Sequence, residues 1–472
     1  MHEGKNDLST LDTTRFPTDF VWGAATASYQ IEGAVHEGGR SPSIWDTFAH
    51  TPGKTLHGDT GDIACDHYHR LAEDVELIRD LKIDSYRFSI AWPRVQPDGK
   101  GPLNEEGVRF YLELIDRLIA ADVVPMPTLY HWDLPQALGD QGGWTSRDTA
   151  YRFADYVEMF VEAVGPRVSA WTTLNEPWCS AWLGYGAGQH APGETDLRAA
   201  VSANHHLLLA HGLATNAIRR LGDANVGITL NLAHIRPASD HALDVEAARL
   251  AEGNANRMFL DPVFKAGYPA DMMELYAGAT IDIRNEDLAT IAAPIDFLGV
   301  NYYHPSIVGS RARIEEHRVL GYCVDTTRTA NLMDQAANSI NLRRPGVAKT
   351  TMEWEIEPVT LTDLLVNLRN DYGDTPIYIT ENGMANGDYR RQDGAVADPE
   401  RIAYLEEHIS AVGAAIGAGV PVKGYYVWSL MDNFEWALGY SQRFGLIYID
   451  YPTGERTPKA SYYWYRDLIA ST

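Results

Sequence analysis

The chain has 472 residues, 45% hydrophobic and 22% charged, with 40 Gly and 24 Pro dispersed along it. That composition excludes collagen-like, coiled-coil and disordered classes and leaves a globular protein with room for a large core. A formal charge of −25 at pH 7 repels phosphate backbones and anionic lipid, so neither nucleic acid nor a membrane is an expected partner.

The N-terminal stretch MHEGKNDLSTLDTTRFP has no apolar h-region. No later run approaches the roughly 20 apolar residues that span a bilayer, so the expected localisation is cytoplasmic. Three separated cysteines, Cys65, Cys179 and Cys323, form no CxxC motif or disulfide framework and read as packing residues in a reducing compartment. Residues 1–15 read as a tail.

Strand-like runs then alternate with amphipathic stretches. FVWGAATA (20–27) leads to the helical spacing of EDVELIRDLK (73–82), SYRFSIAW (85–92) to FYLELIDRLIAA (110–121), and VPMPTLYHW (124–132) to ADYVEMFVEAVG (154–165). AWTTLNE (170–176) precedes LLLAHGLATNAIRRLG (207–222), and VGITLNL (226–232) and IDFLGVNYY (295–303) come before TDLLVNLRNDYG (362–373). PIYITENG (376–383) is followed by RIAYLEEHISAVGAAIGAG (401–419), and GYYVWSL (424–430) comes last. The apolar spacing marks each type, and the acid-rich EDVELIRD reads as a solvated helix face.

Eight strand candidates separated by helical patterns indicate a parallel sheet with helices on its faces. An open doubly wound sheet is the rival, but no GxGxxG follows the first strand, and polar residues gather at the C-terminal ends of nearly every strand. The expected fold is a single (β/α)8 TIM barrel over residues 16–470, an α/β architecture with extended βα loops at 31–70, 177–204 and 304–358.

Two strands end in a carboxylate beside an asparagine: Asn175-Glu176-Pro177 and Glu381-Asn382-Gly383. In a barrel the strand C-termini converge on one mouth, so these carboxylates can face each other across a pocket. Two carboxyls in different environments are what glycosidic cleavage needs, one to protonate the leaving oxygen and one to attack or to activate water. Pro177 fixes the exit of the chain after Glu176, and Gly383 allows a tight turn after Glu381. Either Glu taken alone reads more readily as a salt bridge or a helix-cap neighbour than as a functional group.

The motifs FVWGAATASYQIEGA (20–34), YRFSIAWPR (86–94), YHWDLPQAL (130–138), TLNEPW (173–178), NYY (301–303), IYITENGMA (377–385) and VWSLMDNFEWALGYSQRFGL (427–446) stand in this order. They closely resemble the signatures of glycoside hydrolase family 1, in particular its bacterial β-glucosidases, over nearly the whole chain. The resemblance implies a retaining enzyme with Glu176 as acid/base and Glu381 as nucleophile. It further implies a sugar site of Gln30, His131, Asn175, Glu435 and Trp436, floored by Trp428. Trp132, Asn301, Tyr303 and Phe444 complete the substrate-binding set, and Trp354 lines the aglycone entrance. Arg87 and Tyr303 match residues that contact the nucleophile. Without that context Arg87 is equally a buried ion pair and His131 a satisfied core histidine.

Glu435 would repel a 6-phosphate, so an unphosphorylated β-glucoside is the expected small-molecule substrate. The family usually has Gly before the entrance Trp, whereas this chain has Glu353, which bears on leaving-group preference. No cofactor is expected, and no metal, since His67/His69 and His205/His206 lack the spacing of a zinc motif. Oligomeric state is not readable from the sequence. A broad β-galactosidase or β-fucosidase, and a non-catalytic sugar-binding barrel, are the alternatives.

Overall fold

Each strand-like run becomes a barrel strand: β1 (Val21–Ala25), β2 (Ser85–Ser89), β3 (Val124–Thr128), β4 (Ala170–Asn175), β5 (Asn225–Asn231), β6 (Phe297–Asn301), β7 (Ile377–Asn382) and β8 (Val422–Trp428). In this computed structural model, which describes residues 11–279, 282–325 and 332–472, every strand runs parallel to its neighbours, and β1 pairs with β8 to close the ring. The fold is the (β/α)8 barrel, with strand C-termini at one mouth. Of the expected tail, residues 1–15, only 11–15 are described, and Thr13–Arg15 among them form a short 3-10 turn.

The helical patterns map onto the helices His67–Leu81, Glu105–Ala120, Arg147–Val164, Leu197–Leu221, Val359–Tyr372 and Pro399–Gly417, each pattern running one or two residues past the helix C-terminus. Glu105–Ala120 shows why they cover the barrel: Phe110, Tyr111, Leu114, Ile115 and Leu118 are buried on one stripe, the apolar face of a 3.6-residue period. His67–Leu81 keeps the expected solvated face at Glu73, Glu76, Arg79 and Asp80, with one exception. Its Asp74 is fully buried and accepts from Arg456 Nε at 2.8 Å and His67 Nδ1 at 2.7 Å.

Inside the barrel, aromatic rings take space that strand glycines leave. A Cβ on Gly227 would lie 2.4 Å from the Phe297 ring, and one on Gly23 would lie 2.3 Å from the Tyr426 ring. Side chains rather than solvent therefore fill this layer, and the polar groups sit above it at the mouth.

The long βα loops carry structure that periodicity does not announce. Segment 31–70 holds the helix Ile44–Ala49, started by a capping box of Ser43 and Asp46. Three strands within segment 304–358 join Ile235–Pro237 in a small sheet, in which Ser306–Ser310 and Ser339–Arg343 are antiparallel and Cys323–Val324 forms an edge. Cys323 is exposed, not a packing residue, whereas Cys65 and Cys179 are buried. Among the described residues no helix is long and apolar enough to cross a membrane.

Candidate active site

Both carboxylate-bearing strands carry one extra residue just before the carboxylate or at it. Thr172 and Asn175 of β4 oppose Gly227 and Thr229 of β5, and Ile379 and Asn382 of β7 oppose Tyr425 and Val427 of β8. Such bulges re-aim side chains at barrel rims. Glu176 then leaves β4 at a φ of 45°, left-handed for a residue with a Cβ, its N–H held by Thr229 O at 2.9 Å.

One buried hydrogen-bond chain joins the two carboxyls. Arg87 donates from Nη1 to Glu381 Oε1 at 2.7 Å and from Nη2 to Asn175 Oδ1 at 2.6 Å. Asn301 Nδ2 donates to the same Asn175 oxygen at 3.1 Å and to Glu176 Oε1 at 2.6 Å. Tyr303 donates its phenol to Glu381 Oε2 at 2.6 Å, and Cys179 Sγ lies 3.1 Å from Glu176 Oε2. Glu176 and Glu381 are 6% and 3% exposed, so neither charge is relieved by bulk water.

Their surroundings differ in kind. Glu381 touches a guanidinium and a phenol. Glu176 touches an amide and a thiol, and burial, with the Glu381 charge second, pushes its pKa up to about 7. A proton held on one carboxyl beside an ion-paired partner is the arrangement of an acid and a nucleophile.

The expected sugar-facing residues keep unspent polar atoms. Gln30 Nε2 is committed to Asn433 Oδ1 and Phe434 O at 2.9 and 2.8 Å, while its buried Oε1 has no partner among the described residues. His131 Nε2 meets the Asn175 amide nitrogen at 3.0 Å, which makes Nε2 the acceptor and leaves Nδ1 an N–H donor with no partner among the described residues. Burial and then Arg87 hold the His131 pKa well below its ordinary value, so the ring is neutral. His131 is thus neither a merely satisfied core histidine nor a cation. Burial and the charges of Glu381 and Glu176 raise the Glu435 pKa to about 8, and among the described residues its carboxyl has no hydrogen-bond partner.

Aromatic rings frame these atoms. His131 stacks between Trp428 and Trp436, with centroids 5.9 Å from each. Trp132, at a φ of 81°, packs 4.4 Å from Trp436 and donates its indole N–H to Asn175 O at 2.9 Å. Gly383 is needed for a reason other than the expected turn: a Cβ there would lie 1.7 Å from Trp428 O. Trp354 packs against Tyr303, His304 and Phe444 at 5.2, 5.1 and 6.0 Å, beside a shallow cleft also lined by Arg343 and Glu353. Asn301, like Trp132 and Asn175, has polar atoms committed within the protein. Its nitrogen is spent on Glu176 and Asn175, and its oxygen accepts from Thr380 Oγ1 at 2.8 Å.

The structure adds two residues the sequence reading missed. Cys179 was taken for packing, although its place three residues after Glu176 was a signal. His190 joins the ring cluster 5.2 Å from Trp132, and nothing in its local sequence marks it. The histidine pairs set aside as metal ligands are engaged otherwise, His205 with Asp287 and His206 with Trp144 O.

The model of glycosyl hydrolase family 1 matches residues 12–472. Beta-glucosidase A of Acetivibrio thermocellus is 45% identical, covering 96% of this chain and 98% of that protein. A bifunctional beta-D-glucosidase/beta-D-fucosidase of Bifidobacterium breve is 46% identical over 97% and 99% of the two chains. The solved family 1 β-glucosidase of Thermotoga maritima superposes with a TM-score of 0.90 at 43% identity, covering 96% of this chain and 98% of that one.

Proposed function

Because the chain belongs to glycosyl hydrolase family 1, we propose that it is a retaining β-glucosidase. It removes terminal non-reducing β-D-glucosyl residues from cello-oligosaccharides and from aryl or alkyl β-glucosides. The observation that carries the reading is the pair of buried carboxyls on one hydrogen-bond chain, one ion-paired and the other holding a proton to about pH 7.

In the first half-reaction Glu381 attacks the anomeric carbon while Glu176 gives its proton to the departing oxygen, leaving a glycosyl ester on Glu381. Arg87 and Tyr303 orient the attacking carboxylate. Esterification removes the Glu381 charge, which is one cause of the raised Glu176 pKa, so Glu176 becomes the better-ionised base that the second half-reaction requires. Water then cleaves the ester with Glu176 accepting its proton, and β-glucose leaves with its configuration retained. Gln30 Oε1, His131 Nδ1 and Glu435 supply the acceptor, donor and acceptor that ring hydroxyls need.

Two variants test the roles. Glu381→Gly should abolish turnover and recover with azide as the α-glycosyl azide; a β product would reverse the assignment. Glu176→Ala should slow poor leaving groups far more than dinitrophenolate, and an equal loss for both would remove it as the acid. Rates on aryl β-glucoside, β-galactoside and β-fucoside decide breadth, with glucoside expected to lead. The free thiols of Cys65, Cys179 and Cys323 support action in a reducing, cytoplasmic compartment.

A further inference from the structure

The two hydrogen bonds that Glu176 makes are not equivalent. Asn301 Nδ2 donates to Oε1 at 2.6 Å. That amide is pinned, because its oxygen accepts from Thr380 Oγ1 and its nitrogen also donates to Asn175. An amide N–H only donates, so Oε1 remains an acceptor in both protonation states of Glu176. The proton that Glu176 gives and takes therefore sits on Oε2.

The protein partner of Oε2 is the thiol of Cys179, 3.1 Å away. Carboxyl and thiol ride on the same turn, since the Cys179 N–H bonds to Glu176 O at 2.9 Å and Cys179 begins the π-helical segment Cys179–Gly186. Burial and the neighbouring Glu176 charge hold the thiol pKa well above its ordinary value, so the sulfur keeps its hydrogen. A thiol rotates about one bond and can both donate and accept, which an amide nitrogen cannot do.

We propose that Cys179 is a positioning residue for the proton-carrying oxygen of Glu176. Its S–H donates to Oε2 when Glu176 is ionised, and its sulfur accepts the O–H when Glu176 is protonated. The carboxyl is thereby held in one orientation through both half-reactions. This rests on the reading of Glu176 as the acid/base. The other titratable or charged groups that act on Glu176 are Glu381, Arg87, Glu435 and Tyr303, and substitutions at Cys179 leave all of them in place.

The test is the pH dependence of kcat/KM on cellobiose, whose basic limb reports the acid in the free enzyme. Cys179→Ala removes a donor that favours the ionised form, so the basic limb should move up by about half a pH unit. Cys179→Ser supplies a stronger donor and should leave the limb at or below the wild-type position. Cys179→Val, which keeps the bulk but has no hydrogen to give, should follow Ala, and it replaces Ala if that variant does not fold. Limbs that stay put, or that move the same way for Ser as for Ala and Val, would overturn the proposal. Glu176→Gln, assayed on dinitrophenyl β-glucoside, separates the two levels. Loss of the basic limb keeps Glu176 as the acid whatever the Cys179 variants do, whereas a limb that persists removes Glu176 and the proposal together.

Discussion

Arg87 and Glu381 form an ion pair at 2.7 Å with side chains 1% and 4% exposed. Such a pair costs desolvation that its attraction alone does not reliably recover, and losing one partner strands the other charge. The guanidinium's second arm, on Asn175 Oδ1 at 2.6 Å, ties Glu381 to the residue that also meets His131 and Asn301. Positioning and charge are thus supplied by one group.

Arg87→Lys should therefore fail as a conservative change, because an ammonium can copy one arm of the fork but not both. We expect kcat/KM on an aryl β-glucoside to fall by roughly 10²-fold for Lys and by more than about 10³-fold for Met, with a lower melting temperature for Met. Near wild-type rates in Arg87→Met would reduce Arg87 to the plain structural ion pair that its sequence context also allows.

Glu435 opposes function to stability. Its folded-state pKa of about 8, against an ordinary 4.5, means that the folded protein retains a proton the unfolded chain has already lost. Stability therefore falls as pH rises between these values and is indifferent to the group below them. Glu435→Gln removes the penalty, so its melting temperature should gain on wild type progressively from pH 5 to pH 8, measured by calorimetry. Turnover should drop about 10- to 100-fold, because Gln replaces one carboxyl oxygen, proposed to serve sugar hydroxyls, with an amide nitrogen that cannot accept. A melting difference that does not change with pH would contradict the account.

Glu353 occupies a backbone conformation that favours glycine. The residue sits at a φ of 62°, a conformation that costs a side chain about 1–2 kcal/mol. Its exposed carboxylate pairs with Arg343 at 3.1 Å and Lys349 at 3.5 Å, contacts of small net worth at a surface. Gly and Ala both delete these pairs, and only Gly relieves the backbone. Glu353→Gly should thus melt higher than Glu353→Ala, by the equivalent of about 1 kcal/mol; an equal or higher melting point for Ala would show that the backbone there is not strained.

The barrel strands and the helices were readable because their signals are local. A β-branched or aromatic run, or a stripe at 3.6-residue spacing, is complete within a dozen residues. The small sheet over segment 304–358 was not readable, since strands such as Ser306–Ser310 and Ser339–Arg343 are short and gain their stability from each other. Asp74 was misread for a related reason. Periodicity places it on a helix, but Arg456, far along the chain, makes it a buried ion rather than a solvated one.

The same division runs through the site. The motif order placed Glu176 and Glu381 at the ends of two parallel strands, and eight alternating units required those ends to share a mouth. Their difference in character arose only on closure of the barrel. A guanidinium from β2 and a phenol following β6 reach one carboxyl, while an amide from β6 and a thiol reach the other. Proton affinity depends on burial and on charges a few ångströms away, and those neighbours are assembled by the fold from distant parts of the chain.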